Sequence, residues 1–244
     1  MSNFHKGPEN IEIGPTECII LAGGLGTRLR SAVPDLPKCM APVAGHPFLK
    51  YVIESMLRQS IQRFIFSLGY LHEYIEAFLR QEFPALSYKI ALEKEPLGTG
   101  GAIRLACALA DSPEVIVLNG DTLFEVNIAA MLDFHRQQNA ACTLALKPMQ
   151  NFDRYGVVET DKDNHIISFR EKQHYQTGLI NGGVYAIAVN QFLNIDFPEK
   201  FSFEKEYLEK YVNTIKMLGI RQDGYFIDIG IPEDFAKANI DLAG

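Results

Sequence analysis

A cluster of glycines and cations lies near the start of the chain, directly after a short apolar run. Gly23, Gly24 and Gly26 fall within four positions, and Arg28 and Lys38 follow them. Because glycine has no Cβ, successive backbone N–H groups can turn toward an anion and form a concave binding site. An arginine adds a planar cation that can grip two phosphate oxygens. The residue types therefore predict a nucleoside triphosphate as the ligand of this loop.

Two other interpretations of the glycine cluster are a simple tight turn and a dinucleotide-binding turn. Residues 23–47 contain no convincing helix or strand pattern, and structureless segments of this size in compact domains are usually functional or disordered. The dinucleotide fingerprint Gly-x-Gly-x-x-Gly is absent, no helix begins at once, and no acid ends a second strand about 20 residues further on. Triphosphate binding is therefore the preferred interpretation.

Two aspartates stand in apolar surroundings. Asp121 follows the apolar run 115–118 and Asn119-Gly120, at the carboxyl end of a predicted central strand, where α/β proteins bind ligands. Asp228 lies inside the apolar segment 225–231, where an ionised carboxylate is costly unless it is paired or binds a metal. Either aspartate could instead start a turn or cap a helix. The positions favour metal binding. For Asp228, helix capping is the weaker explanation because Glu233 and Asp234 already stand at the start of the next predicted helix.

The run Gly23-Gly24-Leu25-Gly26-Thr27-Arg28-Leu29, followed by Pro37-Lys38, resembles the fingerprint of the sugar-1-phosphate nucleotidyltransferases. The likeness extends from about Glu17 to the C-terminus, and it is strongest to D-glycero-D-manno-heptose 1-phosphate guanylyltransferases. The resemblance implies transfer of a nucleoside monophosphate from an NTP to a sugar 1-phosphate, with release of pyrophosphate. The product would be a nucleotide sugar for surface polysaccharide synthesis, and Mg²⁺ would be the cofactor. No Asp-x-Asp motif follows Asp121, which favours nucleotidyl transfer over glycosyl transfer.

The resemblance also assigns site residues. The implied catalytic residues are Arg28, Lys38, Asp121 and Asp228, of which the two aspartates are the metal ligands. The implied nucleotide-binding residues are Leu21, Ala22, Gly23, Gly24, Gly26, Thr27, Arg28, Lys38, Glu93, Gly98, Thr99 and Asp121. The implied sugar-phosphate-binding residues are Tyr155, Gly156, Glu171, Lys172, Asn181 and Gly182. In this assignment Lys172 binds the phosphate, Glu171 binds sugar hydroxyls, and Asn181 with the Gly156 backbone orients the ring. Taken singly, each of these polar clusters is more often a solvated turn.

Glu93 bears on the choice of nucleotide, because the resemblance places it at the edge of the base. A carboxylate accepts two hydrogen bonds, and guanine offers adjacent N1–H and N2–H donors. Uracil and thymine offer one N–H flanked by carbonyls, beside which an unpaired carboxylate would be costly. GTP is therefore favoured. The alternatives are a mannose-1-phosphate guanylyltransferase, a uridylyl- or thymidylyltransferase, and a catalytically silent nucleotide-sugar sensor. A sensor would be expected to lack Lys38 or one of the two aspartates.

Composition narrows the range of partners. The formal charge of −7 speaks against nucleic acid as a partner, because a nucleic-acid surface needs a basic face. The four cysteines are widely spaced and predict reduced thiols, not zinc ligands or disulfides. No segment resembles a signal peptide or reaches membrane-spanning length, so we expect a cytoplasmic protein without a membrane partner. A homodimer is compatible with the sequence.

Strand and helix patterns alternate through the first part of the chain. Helices are predicted over 48–59, 72–83, 102–110, 127–138, 201–212 and 232–240, and residues 86–92 are predicted as a strand of a second layer. The rhythm predicts a three-layer α/β/α sandwich with a mixed, mainly parallel central sheet. The resemblance adds that the fold is Rossmann-like and similar to glycosyltransferase-A. We expect an N-terminal tail over 1–15 and one domain over 16–244, with a nucleotide half (16–147) and a sugar-phosphate half (148–244).

Overall fold

The computed structural model describes residues 16–24 and 35–243. The strands in this part of the chain are β1 (Glu17–Leu21), β2 (Pro42–Val43), β3 (His46–Pro47), β4 (Arg63–Leu68), β5 (Ser87–Leu92), β6 (Glu114–Asn119), β7 (Thr122–Phe124), β8 (Cys142–Phe152), β9 (Val158–Thr160), β10 (Ile166–Phe169), β11 (Tyr175–Ala188), β12 (Met217–Arg221) and β13 (Phe226–Asp228). Seven of these strands form a central sheet in the order β12-β8-β11-β6-β1-β4-β5.

The central sheet is mixed and mainly parallel, which confirms the predicted fold class. β6, β1, β4 and β5 run parallel to one another, and β12 runs parallel to β8. β11 is antiparallel to both of its neighbours, β6 and β8. The prediction of a second layer for residues 86–92 is wrong, because β5 pairs in register with β4 at the edge of the central sheet.

Helices cover both faces of the sheet. They are α1 (Phe48–Leu57), α2 (His72–Glu82), α3 (Gly98–Cys107), α4 (Ile128–Gln137), α5 (Val189–Leu193) and α6 (Pro232–Asp241), with a 3-10 turn at Lys38–Met40 and a π-helix at Phe203–Glu209. Successive side chains of a strand point to opposite faces. Accordingly Ile20 packs in one buried cluster with Leu49 of α1, and Ile19 packs in the other with Ile103 of α3. This is the three-layer arrangement expected from the sequence. None of the helices described is long and apolar enough to span a bilayer.

Two helices depart from their predicted form. α3 begins at Gly98, earlier than predicted, where Gly98 has a φ of +74°. The start of the helix is held by the Gly100 amide, which donates to the Phe201 carbonyl at 3.0 Å. The predicted helix over 201–212 is a π-helix over Phe203–Glu209. Its N-cap is Ser202, as the sequence suggests, since the Ser202 side chain accepts from the Lys205 amide. The 3-10 turn and the short strands β2 and β3 occupy a segment where no regular structure was predicted.

A small ribbon beside the sheet brings two distant parts of the chain together. β7 follows directly after β6, and it pairs with β13 in antiparallel register, with Thr122 opposite Asp228. The Ile229 amide also donates to the Asp121 carbonyl at 3.1 Å. The end of β13 is therefore held beside the carboxyl end of β6. The parallel strands β1, β4 and β5 have their carboxyl ends at this same edge of the sheet.

Candidate active site

Lys38, Asp121 and Asp228 converge at this edge of the sheet. The Lys38 ammonium lies 3.5 Å from Asp228 Oδ1, and it makes a very short hydrogen bond to Asp121 Oδ2. Lys38 comes from the 3-10 turn, Asp121 from the end of β6, and Asp228 from the end of β13. The lysine side chain is only 12% exposed, so its charge faces the two acids and not the solvent. Three residues that are far apart along the chain thus share one ionic cluster.

The electrostatics of this cluster favour a cation. Burial raises the pKa of the Asp228 carboxyl above its usual range, and the nearby Asp121 charge adds to the rise. The Lys38 charge and a hydrogen bond from the Gly230 amide, 2.8 Å from Asp228 Oδ1, oppose that rise in pKa. The Lys38 ammonium is a positive charge, and the Gly230 N–H is the positive end of a dipole. A bound cation beside the two aspartates would act in the same direction and stabilise their ionised carboxylates.

The pair of carboxylates fits the donor chemistry of Mg²⁺. Mg²⁺ prefers oxygen ligands and usually binds to one or two protein carboxylates while taking its other ligands from water and substrate phosphates. Across residues 16–24 and 35–243, no group of three or more His, Cys, Asp or Glu side chains is gathered as a metal site. Two carboxylates supply only part of the ligand set of Mg²⁺, so an ion held by Asp121 and Asp228 would take its remaining ligands from water and substrate.

A groove of about 560 Å³ adjoins the end of β1, and Gly23 and Glu93 form part of its wall. A Cβ on Gly23 would lie 2.7 Å from Glu93 Oε1 and 3.1 Å from the Gly69 amide nitrogen, so a side chain at position 23 would displace the Glu93 carboxylate. The Glu93 carboxylate accepts a hydrogen bond from the Leu97 amide at 3.0 Å and another from Ser67 Oγ at 3.3 Å. These contacts hold the carboxylate in a fixed orientation beside the glycine turn.

The other predicted nucleotide-binding residues are placed as follows. Leu21 ends β1 and Ala22 follows it. The Leu21 carbonyl accepts from the Gly120 amide at 2.9 Å, which ties the glycine turn to the residue before Asp121. Gly24 is exposed, and none of the described residues lies within 4 Å of the position that a Cβ would take. The predicted residues Gly26, Thr27 and Arg28 lie outside the described residues.

Gly98 and Thr99 start α3, and they contact the segment that leads into the π-helix. A Cβ on Gly98 would lie 2.5 Å from the Phe201 carbonyl oxygen. The Thr99 hydroxyl accepts from the Phe203 amide at 2.9 Å and donates to Glu204 Oε2 at 2.9 Å. The Thr99 side chain therefore connects α3 to the π-helix.

A second cavity, of about 380 Å³, borders Asp228 of the acid pair. Its walls include all of the predicted sugar-phosphate residues and one of the acids, namely Tyr155, Gly156, Glu171, Lys172, Asn181, Gly182 and Asp228. The Asn181 amide is oriented by two contacts, donating to the Tyr185 hydroxyl at 2.9 Å and accepting from the Gly183 amide at 3.0 Å. A register shift in β11 between Asn181 and Tyr185, with Gly183 at a φ of +75°, turns this residue toward the cavity.

Several residues of the cavity wall were not predicted from the sequence, namely Asn119, Thr122, Tyr185, Glu204, Leu208, Glu209 and Phe226. A local signal existed for Asn119, which stands next to Gly120-Asp121 at the end of an apolar strand. No local signal existed for Glu204, because an acid in the first turn of a helix is the ordinary pattern at any helix start.

Comparison with known proteins gives a consistent result. A protein of Aneurinibacillus thermoaerophilus named D-glycero-alpha-D-manno-heptose 1-phosphate guanylyltransferase is 47% identical over 226 residues, which span 93% of this chain and 98% of that protein. A Campylobacter jejuni protein of the same name is 42% identical over 90% of this chain and 96% of its own length.

A solved structure shows the same fold. The crystal structure of HddC from Yersinia pseudotuberculosis complexed with GMP-PN superposes with a TM-score of 0.84 at 37% identity, covering 93% of this chain and 99% of that one. The profile of the Nucleotidyl transferase family matches residues 17–244. On this evidence the chain belongs to the nucleotidyl transferase family.

Proposed function

We propose that this protein is a sugar-1-phosphate guanylyltransferase that transfers GMP from GTP to D-glycero-α-D-manno-heptose 1-phosphate and releases pyrophosphate. The observation that carries the proposal is the Lys38–Asp121–Asp228 cluster and its position. Asp228 lines the cavity of about 380 Å³, which is called the sugar cavity below. Asp121 follows Gly120, whose amide donates to the Leu21 carbonyl just before the glycine turn and the groove. The names of the two relatives, which match nearly the full length of this chain, support the same activity and the same sugar.

The choice of GTP rests on Glu93. Its carboxylate is held against the glycine turn by Ser67 and the Leu97 amide, and each carboxylate oxygen has a second lone pair for a ligand. Guanine can donate from N1–H and N2–H to such a group, whereas a pyrimidine base would place a carbonyl oxygen next to it. The HddC structure, which is described as complexed with GMP-PN, supports a guanine nucleotide.

The proposed mechanism is an in-line attack by a phosphate oxygen of the sugar 1-phosphate on the α-phosphorus of GTP, with pyrophosphate as the leaving group. No covalent intermediate with the protein is needed, so the protein contributes positioning and charge neutralisation. Lys38 would stabilise the negative charge that builds on the α-phosphate. Lys172 would hold the phosphate of the sugar, and Arg28 with the amides of the glycine turn would stabilise the leaving pyrophosphate.

Mg²⁺ held by Asp121 and Asp228 would supply further neutralisation of the phosphate charge. The same proposal places the reaction in the cytoplasm, where the GDP-heptose formed would serve the synthesis of surface polysaccharide. Both proposed substrates are small molecules. We also propose that the protein forms a homodimer.

The decisive experiment measures pyrophosphate release by the purified protein in the presence of Mg²⁺. Four nucleotides (GTP, ATP, UTP and dTTP) are each paired with D-glycero-α-D-manno-heptose 1-phosphate, mannose 1-phosphate and glucose 1-phosphate. We expect the highest kcat/KM with GTP and the heptose 1-phosphate. Higher activity with mannose 1-phosphate would reassign the sugar, and preference for UTP or dTTP would refute the role given to Glu93. No turnover with any pair would favour a nucleotide-sugar sensor.

A further inference from the structure

One wall of the sugar cavity is formed by the π-helix. Glu204, Leu208 and Glu209 of this helix all line the cavity. In an α-helix, residues five positions apart lie about 140° apart around the axis, so Glu204 and Glu209 would face different directions. The i→i+5 hydrogen bonding of a π-helix brings such residues toward the same face, and these segments are frequent at functional sites. The unusual winding therefore places two carboxylates on the cavity side.

The Glu204 carboxylate is anchored through one oxygen. Oε2 accepts hydrogen bonds from Thr99 Oγ1 at 2.9 Å and from Ser202 Oγ at 3.0 Å. No donor among the described residues contacts Oε1. Glu204 is also half-buried, so its orientation is fixed by protein contacts while one oxygen stays available to a ligand.

Capping of the π-helix does not account for Glu204. An acid in the first turn stabilises a helix through the orphan N–H groups at its start. Here two of those groups already have other partners, since the Lys205 amide donates to Ser202 Oγ at 3.2 Å and the Phe203 amide donates to Thr99 Oγ1 at 2.9 Å. The Glu206 carboxylate in turn accepts a hydrogen bond from the amide of the N-cap residue, Ser202, at 2.7 Å.

We infer that Glu204 is a sugar-binding residue that accepts a hydrogen bond from a hydroxyl of the sugar 1-phosphate through Oε1, and that Thr99 is its positioning residue. The inference rests on the proposed function, because it takes the occupant of the cavity to be a sugar 1-phosphate. A carboxylate accepts but does not donate, and it repels phosphate. Glu204 therefore suits the hydroxyl-bearing part of the substrate, while the phosphate lies toward Lys172.

The contact with Thr99 links the two substrates. Thr99 stands at the start of α3, directly after the loop that carries Glu93, and its hydroxyl holds Glu204 on the sugar side. A shift of this loop when the nucleotide binds would therefore move a sugar-binding carboxylate.

The test is steady-state pyrophosphate release by Glu204→Gln, with GTP and the sugar 1-phosphate varied in turn. Glutamine keeps the shape but loses the charge, and a hydrogen bond to a charged group is worth roughly a factor of ten or more in affinity. We expect KM for the sugar 1-phosphate to rise about tenfold, while KM for GTP changes less than about twofold. The matched control is Glu206→Gln, which removes the same charge from the same helix but can still accept from the Ser202 amide.

Thr99 variants test the positioning role. Thr99→Val should raise KM for the sugar, and Thr99→Ser should restore it, because serine retains the hydroxyl. Unchanged sugar KM in Glu204→Gln would overturn the inference while leaving the proposed function intact. Equal rises in both KM values, or the same rise in Glu206→Gln, would overturn it as well, since they indicate a general distortion. Parent protein that turns over no sugar 1-phosphate with GTP would overturn both the inference and the proposed function.

Discussion

The ammonium group of Lys38 contacts two carboxylates, and a substrate phosphate would compete for it. Replacing Lys38 by alanine should lower kcat by about 10²–10³, the range found for loss of one preorganised stabilising group. The fold should persist, because Lys38 contributes no apolar packing to the cluster. Pyrophosphate release and a thermal melt measure the two quantities.

Lys50 provides the matched control for this substitution. In the part of the chain that the structure describes, its ammonium group pairs with Glu82 alone, at 3.4 Å. Lys50→Ala should therefore leave turnover unchanged. Parent-like turnover by Lys38→Ala would remove Lys38 from the catalytic residues.

Asp228 is the acid that reaches both the ionic cluster and the sugar cavity. Asp228→Asn keeps the shape of the side chain but removes the charge that a divalent cation needs. We expect turnover to fall below detection at any Mg²⁺ concentration, with the melting temperature little changed. Asp223→Asn is the control, because Asp223 is exposed and pairs with Lys147 at 2.8 Å, away from the cluster. A normal Mg²⁺ dependence in Asp228→Asn would exclude Asp228 as a metal ligand.

Packing of helix α3 against the segment before the π-helix depends on a glycine. A Cβ on Gly100 would lie 2.2 Å from a ring carbon of Phe201, and the buried ring has little freedom to move. Gly100→Ala should therefore destabilise the protein by about 1–3 kcal/mol, the usual cost of overpacking. Urea unfolding measures the change.

The control for this steric effect is Gly24→Ala. Among residues 16–24 and 35–243, nothing lies within 4 Å of a Cβ added at Gly24, so the free energy of unfolding of this variant should stay within about 0.5 kcal/mol of the parent. An equal loss in both variants would show that the cost comes from glycine itself and not from Phe201.

For the molecule as a whole, His135 makes stability depend on pH. This residue of α4 is 1% exposed, and a 2.9 Å hydrogen bond joins its Nδ1 to Thr143 Oγ1 of β8. Burial, with a contribution from the Arg136 charge, lowers the pKa of His135 to about 4 from the usual 6.5. Between these values the unfolded chain binds more protons, so the stabilisation is complete above pH 6.5 and is lost as the pH falls toward 4.

The expected size of this effect is about 2–3 kcal/mol between pH 7 and pH 4.5. His135→Gln should remove that part of the pH dependence, measured by urea unfolding at the two pH values. His174→Gln is the control, because His174 is exposed. If the parent and His135→Gln lose stability equally on acidification, the pH dependence has another source.

Local pattern predicted much of this protein, because helices and strands depend on periodicities that span only a few residues. The sequence predicted the alternation of strands and helices, the apolar strand before Asp121 and the helix cap at Ser202. The glycine fingerprint also pointed to the nucleotidyl transferase family, and the family match confirms it. The residue roles at the site stay predictions.

Only the tertiary structure decided which of these residues meet. Asp228 reaches Asp121 because β13 pairs with β7, and no pattern within either segment encodes that pairing. Likewise the early start of α3 and the place of Glu204 in the sugar cavity depend on contacts between segments about 100 residues apart. The sequence of each short segment determines its local structure. The site depends on pairings between distant segments, which stabilise the protein only once the chain has folded.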